Sequence, residues 1–82
     1  MNRTAADDDT ATVLAEIWQD LLEVDEVRTT DRLLQLGGNS LVATMVANRI
    51  ELFWGFRPSM ESLLTATLGE LSAECSRLRT PE

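Results

Sequence analysis

The sequence predicts an all-α fold: a four-helix bundle with one short helix and a long loop between the first two main helices. Three observations carry this expectation. The long apolar stretches repeat at helical spacing, no stretch alternates with the period of a strand, and Gly37-Gly38, Gly55 and Pro58 fall between the stretches. With 82 residues there is room for one core, and a hydrophobic content of 44% lets it fold without a disulfide framework.

Residues 1–10 are polar and carry Asp7-Asp8-Asp9, which predicts a disordered lead-in. The first helix is expected from Ala11 to Leu22. Val13, Leu14, Ile17, Leu21 and Leu22 form its apolar stripe, and Trp18 flanks it as a core residue. Thr10 or Thr12 could cap its start, and Glu16, Gln19, Asp20 and Glu23 take the solvent side. From Val24 to Gly38 neither period persists. Val27, Leu33, Leu34 and Leu36 would pin an ordered loop to the core, with one short helical turn, and Thr29, Thr30 and Asp31 supply turn chemistry. A loop this long in so small a domain is usually functional.

Gly37-Gly38 closes the loop, and Asn39 or Ser40 caps a second helix running to about Phe53. Val46, Ile50 and Phe53 would face inward, with Ala43 allowing close approach. Ser40, Thr44, Ala47 or Asn48, and Glu51 fall on the other side. Gly55 ends this helix, and Pro58-Ser59 starts a short third one through Leu64. The last helix is expected from Thr67, its cap, to Leu78, with Leu68, Leu71, Cys75 and Leu78 inward and Arg77 and Arg79 at its negative end. The folded unit is therefore read as residues 11–79, with 80–82 as a tail.

Composition excludes several function classes. Fourteen acidic residues oppose seven basic ones, all arginine, for a net charge of −7. No basic stripe exists to neutralise phosphates, which argues against nucleic acid and against an anionic membrane surface. Histidine and tyrosine are absent, so the commonest general base is missing. A single cysteine, Cys75, builds neither a disulfide nor a zinc site and reads as helix packing. An autonomous enzyme is not expected. The first ten residues lack the apolar segment of a signal peptide, and no run is long enough to span a membrane. A cytoplasmic monomer is the expectation.

The most informative run is Leu36-Gly37-Gly38-Asn39-Ser40-Leu41, where a polar loop meets an apolar helix. It resembles the attachment site of the peptidyl carrier proteins, or thiolation domains, of nonribosomal peptide synthesis. Ile17-Trp18-Gln19-Asp20-Leu21-Leu22 is similar to that family's first-helix segment, Asp31 to Leu36 to its approach to the motif, and Asn48-Arg49-Ile50 to its Ala-Arg-Ile. The likeness covers Val13 to Leu78. The chain departs from the family at Leu33-Leu34, where an aromatic pair is usual, and at Asn39, where histidine is frequent. It departs again at Ala66-Thr67, where the connection is one residue shorter than the family's Pro-Thr.

The resemblance implies an acyl-carrier-protein-like bundle that holds an aminoacyl or acyl group as a thioester on a 4′-phosphopantetheine arm. The arm would be attached to Ser40, with Gly37, Gly38 and Asn39 as the flanking motif. It implies a phosphopantetheinyl transferase with coenzyme A, an adenylation enzyme, and condensation or tailoring enzymes as partners. Ser40 would be a substrate rather than a catalyst, with the transferase bringing Mg²⁺ and the base. Leu41, Thr44 and Met45 are candidates for a partner face, although core packing is an equal reading of Met45. Arg49 would snorkel or pair with a loop carboxylate. No acidic residue occurs from Leu41 to Ile50, which favours the aminoacyl type over an acyl carrier of polyketide or fatty-acid type. The chain reads as a free-standing carrier. Taken by itself, Gly-Gly-Asn-Ser is also an ordinary turn with a cap, and a cofactor-free helical adaptor is the alternative of a different class.

Overall fold

The computed structural model describes the backbone of residues 2–79 and the side chains of residues 10–78. Along the chain come α1 (Asn2–Leu22), a single 3-10 turn (Leu34–Leu36), α2 (Ser40–Trp54), α3 (Met60–Thr65) and α4 (Leu68–Arg79). Among the described residues the only β pairing is an isolated antiparallel bridge between Arg32 and Thr67. The expected bundle, short third helix and long loop are all present. The expected tail, 80–82, and the side chain of Arg79 lie outside the described residues.

Helix α1 begins at Asn2, so residues 2–10 are helical where the sequence predicts an unstructured lead-in. Thr10 and Thr12 consequently lie inside the helix rather than at its start. Thr10 is buried, and its hydroxyl oxygen accepts from the Ser76 hydroxyl of α4 at 3.3 Å. An apolar-periodicity argument cannot see such a polar extension. The helix ends at Glu23, whose φ of +58° lies in the left-handed region, and the Val24 N–H returns to the Gln19 carbonyl at 3.2 Å.

α1 packs against both α2 and α4, and α2 against α3. The core joins Leu14, Ile17 and Trp18 of α1 to Ala43, Val46, Ala47 and Ile50 of α2, and to Leu63, Leu68, Leu71 and Cys75 of α3 and α4. Each fully buried leucine or isoleucine contributes about 1.5–3 kcal/mol of burial energy. Trp18 is central to this core rather than flanking it, and its indole N–H has no hydrogen-bond partner among the described residues.

Of the alternatives Ala47 and Asn48, Asn48 takes the exposed side, because the wide helical stripe of α2 buries 43, 46, 47 and 50. Three orientation expectations are corrected. Phe53 is 61% exposed, because the inward stripe 43, 47 and 50 continues to Trp54, which packs against the core and leaves Phe53 at its edge, edge-on to the indole. Leu78 is half exposed near the end of α4, past Cys75, the last buried residue of that helix. Leu34 is half exposed because the 3-10 turn gives the inward position to its neighbour Leu33.

Candidate functional site

The loop before α2 is held by the start of α4. A helix leaves its first N–H groups without internal partners, and here the loop supplies them. The N–H of Leu68 donates to the Asp31 carbonyl at 2.8 Å and that of Gly69 to the Thr29 carbonyl at 2.9 Å. Thr67 and Glu70 complete the end as a reciprocal capping box, at 3.1 and 3.0 Å. The Arg32 Nε donates to the Thr65 carbonyl at 2.9 Å, tying the loop to the end of α3. The short Ala66-Thr67 connection is thus compatible with a well-capped α4.

Inside the loop, Asp31 Oδ2 accepts from the Arg28 N–H and Gln35 Oε1 from the Arg32 N–H, at 2.9 and 2.8 Å. Leu33 is fully buried beneath the 3-10 turn. The two glycines that follow do different jobs. Gly37 has φ +96°, a left-handed conformation that L side chains rarely adopt, with open space beside it. Gly38 instead needs closeness. A Cβ there would lie 2.6 Å from Leu33 Cγ and 2.9 Å from its carbonyl oxygen, the same oxygen that accepts the Gly38 N–H at 2.9 Å. Gly38 therefore clears space against Leu33, a support that the motif alone does not reveal.

Asn39 is the cap of α2. Its backbone is extended, its Oδ1 accepts from the Val42 N–H at 3.0 Å, and its carbonyl accepts from Ala43 N–H at 2.8 Å. Ser40 is the first helical residue and is exposed, and its hydroxyl makes no hydrogen bond among the described residues. Of the two candidate caps, asparagine does the capping and serine is left free. Leu41 is 68% exposed and Met45, one turn further, is 38% exposed. Thr44 is half-buried and its hydroxyl donates to the Ser40 carbonyl at 3.0 Å. Motif and face residues are thus brought together at one end of α2. Arg49 pairs not with the loop but with Asp20 of α1, at 2.8 Å.

The model of the family described as "Phosphopantetheine attachment site" matches residues 12–75. The chain belongs to this family. It is a carrier protein domain, and the group that the family carries is covalent phosphopantetheine. Among curated relatives of this carrier, a plipastatin synthase subunit of Bacillus subtilis is 43% identical over 63 residues, which is 76% of this chain and 2% of that protein. The chain thus spans a small fraction of that relative's length. Among solved structures, BlmI, a type-II acyl-carrier-protein from Streptomyces verticillus involved in bleomycin biosynthesis, superposes with a TM-score of 0.86. The identity is 26%, covering 98% of this chain and 100% of BlmI. A chain of the complex of the phosphopantetheine transferase Sfp with coenzyme A and a peptidyl carrier protein matches with a TM-score of 0.77 and 25% identity. That match covers 83% of this chain and 90% of the other. Domains of this family are carriers rather than catalysts. No helix among the described residues is long and apolar enough to cross a membrane.

Proposed function

We propose that residues 11–79 form a peptidyl carrier unit whose Ser40 hydroxyl is the attachment point for 4′-phosphopantetheine. The single observation that carries this reading is the freedom of that hydroxyl. It is exposed, unpartnered among the described residues and relieved of capping duty by Asn39. The N–H groups of Ser40 and Leu41 stay at the open, positive end of α2, because Asn39 takes those of Val42 and Ala43. A phosphodiester formed on Ser40 would therefore sit where a helix favours negative charge. Gly37, Gly38 and Asn39 hold this anchor in place without covering it.

The arm, once attached, supplies a thiol on which an aminoacyl or acyl group is held as a thioester. Loading is assigned to an adenylation enzyme, arm attachment to a phosphopantetheinyl transferase using coenzyme A, and release to condensation or tailoring enzymes. The Sfp complex supports the transferase as partner, and the likeness to plipastatin synthase supports the peptide-synthetase setting. Leu41, Thr44 and Met45 are proposed as the face that these enzymes touch.

The test of the anchor is intact-protein mass after incubation with coenzyme A and Sfp. The expected result is a gain of one phosphopantetheine that disappears in Ser40→Ala. Because the hydroxyl has no partner, that variant should melt within about 0.5 kcal/mol of the parent. Modification persisting in Ser40→Ala would overturn the assignment. No gain of mass with Sfp and a second transferase would favour the cofactor-free adaptor.

A further inference from the structure

We propose that the groove between α1 and α2, at the end of the bundle remote from Ser40, is a second docking surface for a basic, apolar-anchored helical segment of a partner protein. The groove holds a hollow of about 310 Å³ lined by Val13, Glu16, Ile17, Asp20, Arg49 and Phe53. Its apolar lining is Val13, Ile17 and Phe53, and Phe53 presents 61% of its surface to solvent. A phenylalanine so placed contributes little to the core, so its exposure needs another account. Leu52 beside it is 86% exposed, so the apolar surface continues along the helix.

Charge selects the occupant. Glu16 and Asp20, four residues apart on α1, both line the hollow with their carboxylates. Asp20 is engaged by Arg49 at 2.8 Å, whereas Glu16 makes no ion pair among the described residues. The groove thus has an apolar floor and an acidic rim whose lining cation, Arg49, is already neutralised. An arriving helix with one apolar stripe and flanking lysine or arginine satisfies both features. A neutral or acidic segment would leave Glu16 facing like charge or none.

Position gives the surface its use. Ser40 and Phe53 are separated by thirteen residues of α2, which is about 20 Å of helix axis. A partner seated at Phe53 would leave the Ser40 end open, so the carrier could stay tethered while other enzymes work on the arm. The inference does not depend on Ser40 being the anchor, because it concerns the unmodified chain.

The experiment titrates the full chain with two synthetic helical peptides. They share a leucine stripe at i, i+4 and i+7 and differ in carrying lysine or glutamate beside it. Binding is followed by amide chemical shifts and by tryptophan fluorescence, since Trp54 contacts Phe53 with ring centroids 5.3 Å apart. The expected result is saturable binding of the lysine peptide, with shifts at Val13, Glu16, Ile17 and Phe53. Affinity should fall at least tenfold in Phe53→Ser and in Glu16→Lys, and remain unchanged in Ser40→Ala. Neither groove substitution removes a buried side chain, and equal melting temperatures will certify the fold. Absence of binding, equal binding of the glutamate peptide, or affinity unchanged in the two groove variants would overturn the proposal. So would shifts centred on Leu41. A carrier that self-associates without peptide and becomes monomeric in Phe53→Ser would assign the groove to a second copy, and overturn it as well.

Discussion

The two ends of α2 are secured in opposite ways. At its C-terminal end side chains do the work. Arg57 Nη1 donates to Asn48 Oδ1 at 2.7 Å and to Glu51 Oε1 at 2.8 Å, and the Trp54 and Phe56 rings stack with centroids 5.8 Å apart. Gly55, at φ +91°, returns its N–H to the Glu51 carbonyl at 2.8 Å. At the N-terminal end the chain is held by backbone bonds, one asparagine cap and two glycines, and the first helical side chain is left without a partner among the described residues. The attachment point proposed at Ser40, which another enzyme would have to reach, could not also be a structural tie. The N-terminal end is therefore fixed from beneath, through Leu33 and the loop carbonyls on α4, and the exposed side is kept clear.

The largest expected effect is shared by both ends, because it strikes the core between them. Val46→Asp places an unpaired carboxylate at a fully buried position, a change of about 3–5 kcal/mol, comparable with the total stability of a small domain. Thermal melting by circular dichroism should lose its cooperative transition or fall steeply. Thr44→Asp, two residues away on the half-buried side and close to the positive end of the helix, should melt near the parent. Equal losses in the two variants would contradict the burial pattern of α2.

The next effect separates the two glycines beneath the anchor from the one beyond Trp54. Gly38→Ala drives a methyl group against Leu33 Cγ and a backbone oxygen, neither of which can swing aside. The cost should be about 1–3 kcal/mol. Gly55→Ala meets no atom within 4 Å and strains only its own left-handed backbone, so about 1 kcal/mol is expected. Urea titrations that ranked Gly55→Ala as the costlier change would remove the proposed support of the loop by Leu33. Of similar size to Gly55→Ala is Asn39→Ala, which takes away the cap and should cost about 1 kcal/mol, or about 4–8 °C in melting temperature for a domain of this size. Ser40→Ala should barely move it. If the serine variant lost as much as the asparagine variant, capping would not be assigned to Asn39 alone.

These effects also mark what is legible in the sequence. The four helices, the caps at Ser59 and Thr67, the glycine ending α2 and the buried stripe 43, 46 and 50 all follow from local periodicity and capping chemistry. The resemblance carried by Leu36 to Leu41 is equally local. What periodicity does not show is the company each residue keeps. Gly38 needs Leu33, five residues upstream in an irregular loop, and that loop is held by N–H groups more than thirty residues downstream. Arg49 finds Asp20 across the bundle. Helical spacing points Phe53 inward with Val46 and Ile50, but at this turn it is Trp54 that packs against the core, which leaves Phe53 at the edge of the stripe. Each miss concerns a contact between segments, which a reading along one segment does not contain.

The smallest stability effect tests whether the exposed side of the N-terminal end is kept clear for recognition. Leu41 follows Ser40 and exposes 68% of its surface, so Leu41→Ala removes little buried area and should change stability by less than about 0.5 kcal/mol. A leucine that does so little for its own domain is free to fill an apolar depression on a partner, and centrally placed contacts of that kind dominate small interfaces. Loading of the pantetheinylated variant by its cognate adenylation enzyme should therefore fall by about three- to tenfold at subsaturating carrier, equivalent to about 1 kcal/mol. The loss should vanish as carrier is raised, because contact is weakened while the chemistry at the thiol is untouched. Phe53→Ser, at the other end of the same helix, should leave this loading rate as it was. Equal effects at both positions would mean that the adenylation enzyme covers the whole of α2, and that its two ends do not serve separate partners.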